Sequence, residues 1–166
     1  MRYLIEDKEP TNGTKDAALR LESPLNVLAK TVKCVVNRRM EKKILFVDDN
    51  KDWRAMVTTA LSGAGFEVVT AADASEAMKL ANETELRLVI LDLNLGGESG
   101  LMLMKFIREN HPDLPILLYT GIDHDDGTIA AMLREGADRY LHKGSMDELI
   151  ETVRKFESLP KARPTG

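Results

Sequence analysis

Four predicted strands of this chain end on side chains that can bind a cation, act as a nucleophile or supply a counter-charge. These side chains are Asp48 with Asp49, Asp92, Thr120 and Lys143. Short, unbroken apolar runs are typical of strands buried on both faces of a parallel sheet. Functional residues in open α/β sheets lie just beyond the carboxyl ends of such strands. A lone Asp there is equally compatible with a turn cap, whereas four polar strand ends together favour a shared site.

The residue types at these strand ends favour phosphoryl transfer assisted by a metal ion. Three carboxylates at one edge repel by roughly 4 kcal/mol per close pair at an effective dielectric constant near 20. A divalent cation relieves that repulsion, and Mg²⁺ uses only one or two carboxylates together with water and phosphate oxygens. One Asp then remains free as a nucleophile, while the metal and the Lys143 ammonium screen the incoming phosphoryl group.

The elements that must position these residues follow from hydrophobic periodicity and helix-capping patterns. Largely apolar segments predict four strands, at residues 44–47, 66–71, 88–91 and 114–119, and residues 139–142 (Arg-Tyr-Leu-His) are assigned as a fifth. Helical periodicity and caps predict five helices, at about residues 51–64, 73–84, 101–109, 125–135 and 145–156. Alternating strands and helices indicate a doubly wound, five-stranded parallel sheet of flavodoxin-like (βα)5 type, covered by helices on both faces.

The chain divides by composition into an N-terminal extension at 1–39, a domain at 40–158 and a disordered tail at 159–166. Within the extension, Ser23-Pro24 opens a basic amphipathic helix. That helix could dock onto a partner or a membrane surface. The same pattern also fits a helix packed on its own domain, or an extension without defined structure.

Charge and hydropathy exclude several function classes. The net charge of −4 combines +4 in the first 43 residues with −8 in the remaining 123, so the body does not favour binding to nucleic-acid phosphates. No apolar run approaches the roughly 20 residues that span a bilayer, and no secretion signal is seen. Cys34 is the only cysteine, which excludes an intrachain disulfide. These features predict a cytoplasmic protein.

Four sequence segments carry a resemblance to a known family. They are Ile-Leu-Phe-Val-Asp48-Asp49-Asn, Val-Ile-Leu-Asp92-Leu-Asn94-Leu, Tyr119-Thr120-Gly121 and Tyr140-Leu-His-Lys143-Gly. In this order and spacing, the region from Met40 to about Ser158 resembles the receiver domain of two-component response regulators. The resemblance implies a protein that accepts a phosphoryl group from a sensor histidine kinase or a histidine phosphotransfer protein.

The resemblance also implies roles for the acidic residues. Asp92 would be the phosphoacceptor. Asp49, Asp92 and the backbone carbonyl of Asn94 would bind Mg²⁺, and Asp48 would act partly through water.

The remaining motif residues would respond to the phosphoryl group. Lys143 would pair with its oxygens, the Thr120 hydroxyl would move to bond one of them, and the backbone amide of Gly121 would approach it. The side chain of Tyr140 would follow Thr120. Such a protein is not an enzyme acting on a separate substrate, although its own phosphorylation and dephosphorylation would be self-catalysed.

Two positions depart from the family pattern. Gly96 and Gly144 stand where the family usually has proline, which leaves both loops with more backbone freedom. No helix-turn-helix is predicted after the last helix. We therefore expect signalling by contact with a downstream protein or by phosphorelay. The sequence is also compatible with a homodimer.

Two alternative functions remain. A phosphatase resembling the haloacid dehalogenase class would also use a strand-end Asp with Mg²⁺, but its general acid would be an Asp at the position of Asn94. The other alternative is a receiver-like scaffold that acts without phosphorylation. No Gly-rich nucleotide-binding motif follows the first strand.

Overall fold

The structure is a computed structural model that describes residues 42–158. The predicted extension at 1–39 and the tail at 159–166 lie outside the described residues, so the proposed domain boundaries stay predictions. Seven strands are present, β1 to β7 in chain order: Lys43–Val47, Val68–Ala71, Leu86–Leu91, Asn94–Leu95, Glu98–Ser99, Ile116–Thr120 and Arg139–His142. Five helices, α1 to α5, cover Lys51–Gly63, Ala74–Glu83, Gly100–Asn110, Asp126–Glu135 and Met146–Ser158.

Five of the strands form one parallel sheet in the order β2-β1-β3-β6-β7, which confirms the predicted fold class. The order in which strands are added to the sheet reverses between β1 and β3, and ligands bind at this switch point in doubly wound folds. Val47 pairs with Leu91 across these two strands. Asp48 and Asp92, the next residue of each strand, are therefore neighbours at the carboxyl edge of the sheet.

Both faces of the sheet are covered, as the apolar strand sequences predict. On one face, alternate residues of the central strands pack against Ala77 of α2, Leu103 of α3 and Met132 of α4. On the other face, the intervening residues pack against Val57 of α1 and Leu149 of α5. The central strands are consequently buried on both sides and hold their carboxyl ends in fixed positions.

Side chains cap the starts of α1 and α2. The Asn50 side chain caps α1 by accepting from the N–H groups of Asp52 and Trp53 at 2.9 and 3.0 Å. Asp73 caps α2 by accepting from the Glu76 N–H at 2.8 Å.

No described helix is both long and apolar enough to cross a membrane.

One element was not predicted. The loop after Asp92 contains a β-hairpin in which β4 pairs antiparallel with β5, and each of these strands has two residues. Its turn residues, Gly96 and Gly97, have φ values of +63° and +107°. Positive φ at both central positions suits a tight hairpin turn that matches the strand twist. Proline, whose φ is fixed near −65°, could not occupy position 96 in this conformation. The departure from the family pattern at Gly96 therefore has a structural counterpart.

Candidate functional site

The centre of the site is an ammonium group between two carboxylates. Lys143 Nζ donates to Asp48 Oδ2 at 2.6 Å and to Asp92 Oδ2 at 2.5 Å. Lys143 follows β7, which β6 separates from β3, so its long side chain reaches across the end of β6. The Lys143 backbone N–H donates to the Thr120 carbonyl at 2.8 Å and continues the pairing of β6 with β7. The lysine is thus anchored at both its backbone and its charged end.

A third carboxylate gives the site an excess of negative charge. Asp48, Asp49 and Asp92 each place a carboxylate oxygen within 4.8 Å of the others. Asp48 is fully buried and Asp92 nearly so, whereas Asp49 is exposed. One lysine cannot neutralise three carboxylates, and oxygen ligands in this arrangement are those that hard divalent cations prefer. The residues present therefore form an acidic pocket that could hold a metal ion.

The two buried carboxylates differ in how their oxygens are occupied. Asp48 Oδ1 accepts from the backbone N–H of Asn50 at 2.9 Å, and its other oxygen faces Lys143. Burial raises the pKa of the Asp48 carboxyl, and the hydrogen bonds from Lys143 and Asn50 only partly oppose that rise. Asp92 Oδ1, by contrast, accepts only a long bond of 3.3 Å from the Asn94 N–H. Asp92 is therefore the buried carboxylate with an oxygen that is loosely held.

Gly100 allows the loop after Asp92 to return close to its own strand end. The Gly100 N–H donates to the Leu93 carbonyl at 2.9 Å. A Cβ atom at this position would lie 2.2 Å from the Asp92 carbonyl oxygen, well inside van der Waals contact. Only glycine fits there, because the obstructing atoms belong to the backbone.

The predicted response residues Thr120 and Tyr140 lie on β6 and β7 and contact the loop that follows β6. Thr120 is fully buried, and its hydroxyl oxygen accepts from the Ile122 N–H at 3.4 Å. The Tyr140 hydroxyl donates to the Ile122 carbonyl at 2.8 Å. Partial burial and the nearby Asp123 carboxylate both raise the Tyr140 pKa. Both side chains therefore contact the same residue, Ile122.

Gly121 adjoins the lysine, as the sequence order requires. A Cβ there would meet Lys143 Cδ at 3.8 Å, an ordinary contact distance, so the site has room for a small side chain.

The sequence patterns gave no indication of Arg54, whose guanidinium donates to the Asp48 backbone carbonyl at 2.5 Å. This bond ties the first turn of α1 to the end of β1. Its sequence signal is weak, because an Arg in a first helical turn is common on protein surfaces.

Comparisons with known proteins agree with this geometry. The family model described as "Response regulator receiver domain" matches residues 44–154. The "Transcriptional regulatory protein PrrA" of Mycobacterium leprae is 33% identical over 121 residues, which cover 73% of this chain and 51% of that protein. The "CAI-1 autoinducer sensor kinase/phosphatase CqsS" of Vibrio cholerae is 33% identical over 119 residues, 69% of this chain and 17% of that protein.

A solved structure gives the same result. The crystal structure of the receiver domain of NtrX from Brucella abortus has a TM-score of 0.65 and 36% identity, covering 70% of this chain and all of that one. This chain spans about half the length of the transcriptional regulator PrrA and a smaller share, 17%, of the sensor kinase CqsS. A sheet with this strand order, an acidic pocket with an apposed lysine at its carboxyl edge, and the family match over 44–154 lead to one conclusion: the chain belongs to the response regulator receiver domains of two-component systems.

Proposed function

We propose that this protein is a phosphoacceptor that receives a phosphoryl group on Asp92 with the help of Mg²⁺. The supporting observation is the contact of Asp92 with the Lys143 ammonium beside two further carboxylates. Asp48 is less suited as the acceptor, because both of its oxygens are occupied and it is completely buried. Asp49 is exposed, and the two Lys143 ion pairs in the described residues are with Asp48 and Asp92 instead.

The chemistry is a substitution at phosphorus. A carboxylate oxygen of Asp92 attacks the phosphorus of phosphohistidine, and the P–N bond breaks with its electron pair passing to the imidazole nitrogen, which is protonated. The product is a mixed anhydride of Asp92 and phosphate. Lys143, already held between the two carboxylates, would exchange its contact with Asp92 for one with a phosphoryl oxygen.

The acidic pocket supplies the residues for Mg²⁺. Asp49, Asp92 and the Asn94 carbonyl would hold the ion, with Asp48 acting partly through water. When bound, the metal neutralises charge on the phosphoryl oxygens. The three carboxylates fit this role because their oxygens already lie within 4.8 Å of one another.

The response would pass through the loop at Ile122. A phosphoryl group adds about −1.5 to −2 charges and three strong acceptors. The Thr120 hydroxyl would leave its long contact with Ile122 and donate to a phosphoryl oxygen, near the Gly121 amide. Tyr140 is bonded to the same residue, so movement of this loop would change the surface around Tyr140.

The partners would be a histidine kinase or a histidine phosphotransfer protein, and a downstream protein target in the cytoplasm. We propose signalling by protein contact or phosphorelay rather than through nucleic acid bound by residues 42–158. A homodimer remains compatible with this role. Turnover would be limited to the protein's own phosphorylation and dephosphorylation.

Phosphorylation with a small donor tests this proposal. Wild type incubated with acetyl phosphate and Mg²⁺ should gain one phosphate by intact mass, and alkali should remove it. Asp92→Asn should gain none, whereas Asp52→Asn, an exposed Asp in the first turn of α1, should behave like wild type. A phosphate adduct that persists in Asp92→Asn would contradict the assignment of Asp92, as would a wild type that gains no phosphate with any competent donor or kinase. In either case the scaffold that acts without phosphorylation would remain as the alternative. Continuous release of phosphate from phosphomonoesters would instead support the phosphatase.

A further inference from the structure

An aromatic stack lies directly beside the Lys143 ammonium. Lys143 Nζ is 5.7 Å from the centroid of the Trp53 ring and lies over its face. Trp53 in turn stacks on Tyr119, with ring centroids 6.2 Å apart and planes inclined by 19°. Tyr119 is fully buried and contacts Phe46 on β1, with centroids 6.4 Å apart. The ammonium therefore has two carboxylates on one side and an aromatic face on another.

The stack is itself held in place by the fold. The Trp53 backbone N–H donates to the Asn50 side chain at the start of α1, directly after Asp49. Tyr119 occupies the β6 position before Thr120 and points to the opposite face of the sheet, where α1 and α5 pack. Its hydroxyl faces the backbone of Gly144, although the geometry falls short of a hydrogen bond. Trp53 and Tyr119 thus flank the Lys143–Gly144 pair from one side.

Lys143 needs such support more than its two ion pairs suggest. A lysine side chain has four flexible carbon–carbon bonds, and its ammonium is a point charge without a preferred direction. The following residue, Gly144, has no side chain to limit the loop, and a Cβ there would meet nothing within 4 Å. An aromatic face attracts an ammonium within about 6 Å and so restricts where it can lie.

We propose that Trp53 is a positioning residue that holds the Lys143 ammonium at Asp92, with Tyr119 as its support. The inference rests on the proposed phosphoacceptor function, because its consequence is faster formation and response of the acyl phosphate. Without the indole ring, the ammonium would populate arrangements in which it contacts only one carboxylate or solvent. Trp53 touches no reacting atom and acts through Lys143 alone.

The first experiment measures the lysine position without any phosphorylation. A lysine end over an indole face has its side-chain protons shifted upfield by the ring current. In NMR spectra of the full chain, the Lys143 ε-methylene protons should be upfield of the other lysines. The displacement should be lost in Trp53→Leu and partly kept in Trp53→Phe. Lys143→Met identifies the resonance.

The second experiment follows acyl phosphate formation from acetyl phosphate by intact mass. Trp53→Leu should form it roughly threefold to tenfold more slowly than wild type, the loss expected for one cation–π contact, and Trp53→Phe should recover part of that loss. In a Lys143→Met background, Trp53→Leu should have no further effect, because non-additivity identifies residues that act through each other.

A matched control separates positioning from general packing. Phe156 of α5 also has a cation over its ring at 5.7 Å, that of Arg139, but it lies away from the acidic pocket. Phe156→Leu should leave both the Lys143 shift and the phosphorylation rate unchanged.

The outcomes distinguish this inference from the proposed function. An undisplaced Lys143 resonance in wild type, or Trp53→Leu slowing phosphorylation equally in the wild-type and Lys143→Met backgrounds, would overturn the positioning role. A displaced resonance that Trp53→Leu abolishes supports the contact even if Asp92 is never phosphorylated, and in that case only the phosphoacceptor proposal fails. If Trp53→Leu both abolishes the displacement of the Lys143 resonance and slows phosphorylation, the result supports both the positioning role and the phosphoacceptor function.

Discussion

The two edges of the sheet carry two buried or half-buried ionic networks of opposite design. At the carboxyl edge, one ammonium, that of Lys143, faces a pocket of three carboxylates. At the amino edge, Arg108 of α3 pairs with Asp138 at 2.8 Å, just before β7 begins. The N–O distances of the ion pairs are similar, at 2.5 to 2.8 Å. Among the described residues, the networks differ in the ratio of cations to carboxylates and in how many hydrogen-bond donors have an acceptor.

The arginine network is saturated. Arg108 donates through Nε and a terminal nitrogen to the Gly136 carbonyl at 3.1 and 2.7 Å, and through the other terminal nitrogen to the Leu114 carbonyl at 3.0 Å. Asp138 also accepts from the Ile116 N–H at 2.8 Å. The planar guanidinium matches both the Asp138 carboxylate and fixed backbone acceptors. Such a network ties α3 to the starts of β6 and β7.

The comparison shows how charge balance separates a structural network from a site. The carboxyl edge retains net negative charge, which a cation can neutralise, and a loosely held Asp92 oxygen, which is available to react. At the amino edge, the Arg108 donors are already matched by backbone carbonyls and the Asp138 carboxylate. Four predictions test this contrast, beginning with the largest expected effect.

Removing the guanidinium should cost the most stability. Arg108→Ala leaves the Asp138 carboxylate and several backbone carbonyls without their donor, so we expect the free energy of unfolding to fall by about 3 kcal/mol. Urea denaturation measures this loss. Lys105→Ala on the same helix removes only a half-exposed ion pair with Glu135 and should cost less than about 1 kcal/mol. Similar losses for the two variants would contradict a structural role for the arginine network.

Mg²⁺ should stabilise the carboxyl edge through mass action. At a hundredfold excess over its dissociation constant, the ion should raise the free energy of unfolding by about 2.7 kcal/mol. Thermal melts measure this change, and Trp53 fluorescence should change with binding because the indole adjoins Lys143. Both effects should vanish in Asp49→Ala and persist in Arg108→Ala. An unchanged melting temperature at millimolar Mg²⁺ in wild type would count against the metal site.

Removing the ammonium should cost stability that a metal can restore. Lys143→Ala leaves two buried carboxylates without their counter-charge, so we expect it to fold but lose about 2 kcal/mol without metal. Millimolar Mg²⁺ should recover most of that loss by supplying positive charge to the same pocket. The loss in Arg108→Ala should not be recovered. Equal rescue of both variants would show that Mg²⁺ acts generally rather than at the acidic pocket.

The smallest effect concerns pH. Burial raises the Asp48 pKa above its ordinary value, so the neutral form favours folding, and this contribution disappears as pH rises through the folded-state pKa. Metal-free Asp48→Asn stays neutral, and its stability relative to wild type should therefore grow as pH rises from about 4 to 7, by about 1 kcal/mol or less. Urea denaturation across this range checks the sign, with Asp52→Asn as the charge control. A difference independent of pH would mean that Lys143 offsets the burial of Asp48.

Much of the fold was predictable because apolar runs report burial directly. The predicted strand at 139–142 agrees with β7 to the residue, whereas the strands predicted from Phe66 and Leu114 begin two residues later, at Val68 and Ile116. Boundaries shift because apolar residues just before a strand can pack on the core without joining the ladder; Phe66 is buried in this way. The Gly96-Gly97 hairpin escaped prediction because its strands have only two residues each, too few for a periodic signal.

The sequence by itself determined that polar residues end neighbouring strands, because a parallel sheet places all carboxyl ends at one edge. Only the tertiary structure decided which of them touch. Lys143 contacts residues 95 and 51 positions earlier in the chain, and Arg108 meets Asp138 across 30 positions. Periodicity records whether a residue is buried, but the partner of a buried charge depends on strand order, register and side-chain reach. Those quantities arise only when the strands pair, so the charge balance that separates the site from its structural counterpart belongs to the folded chain.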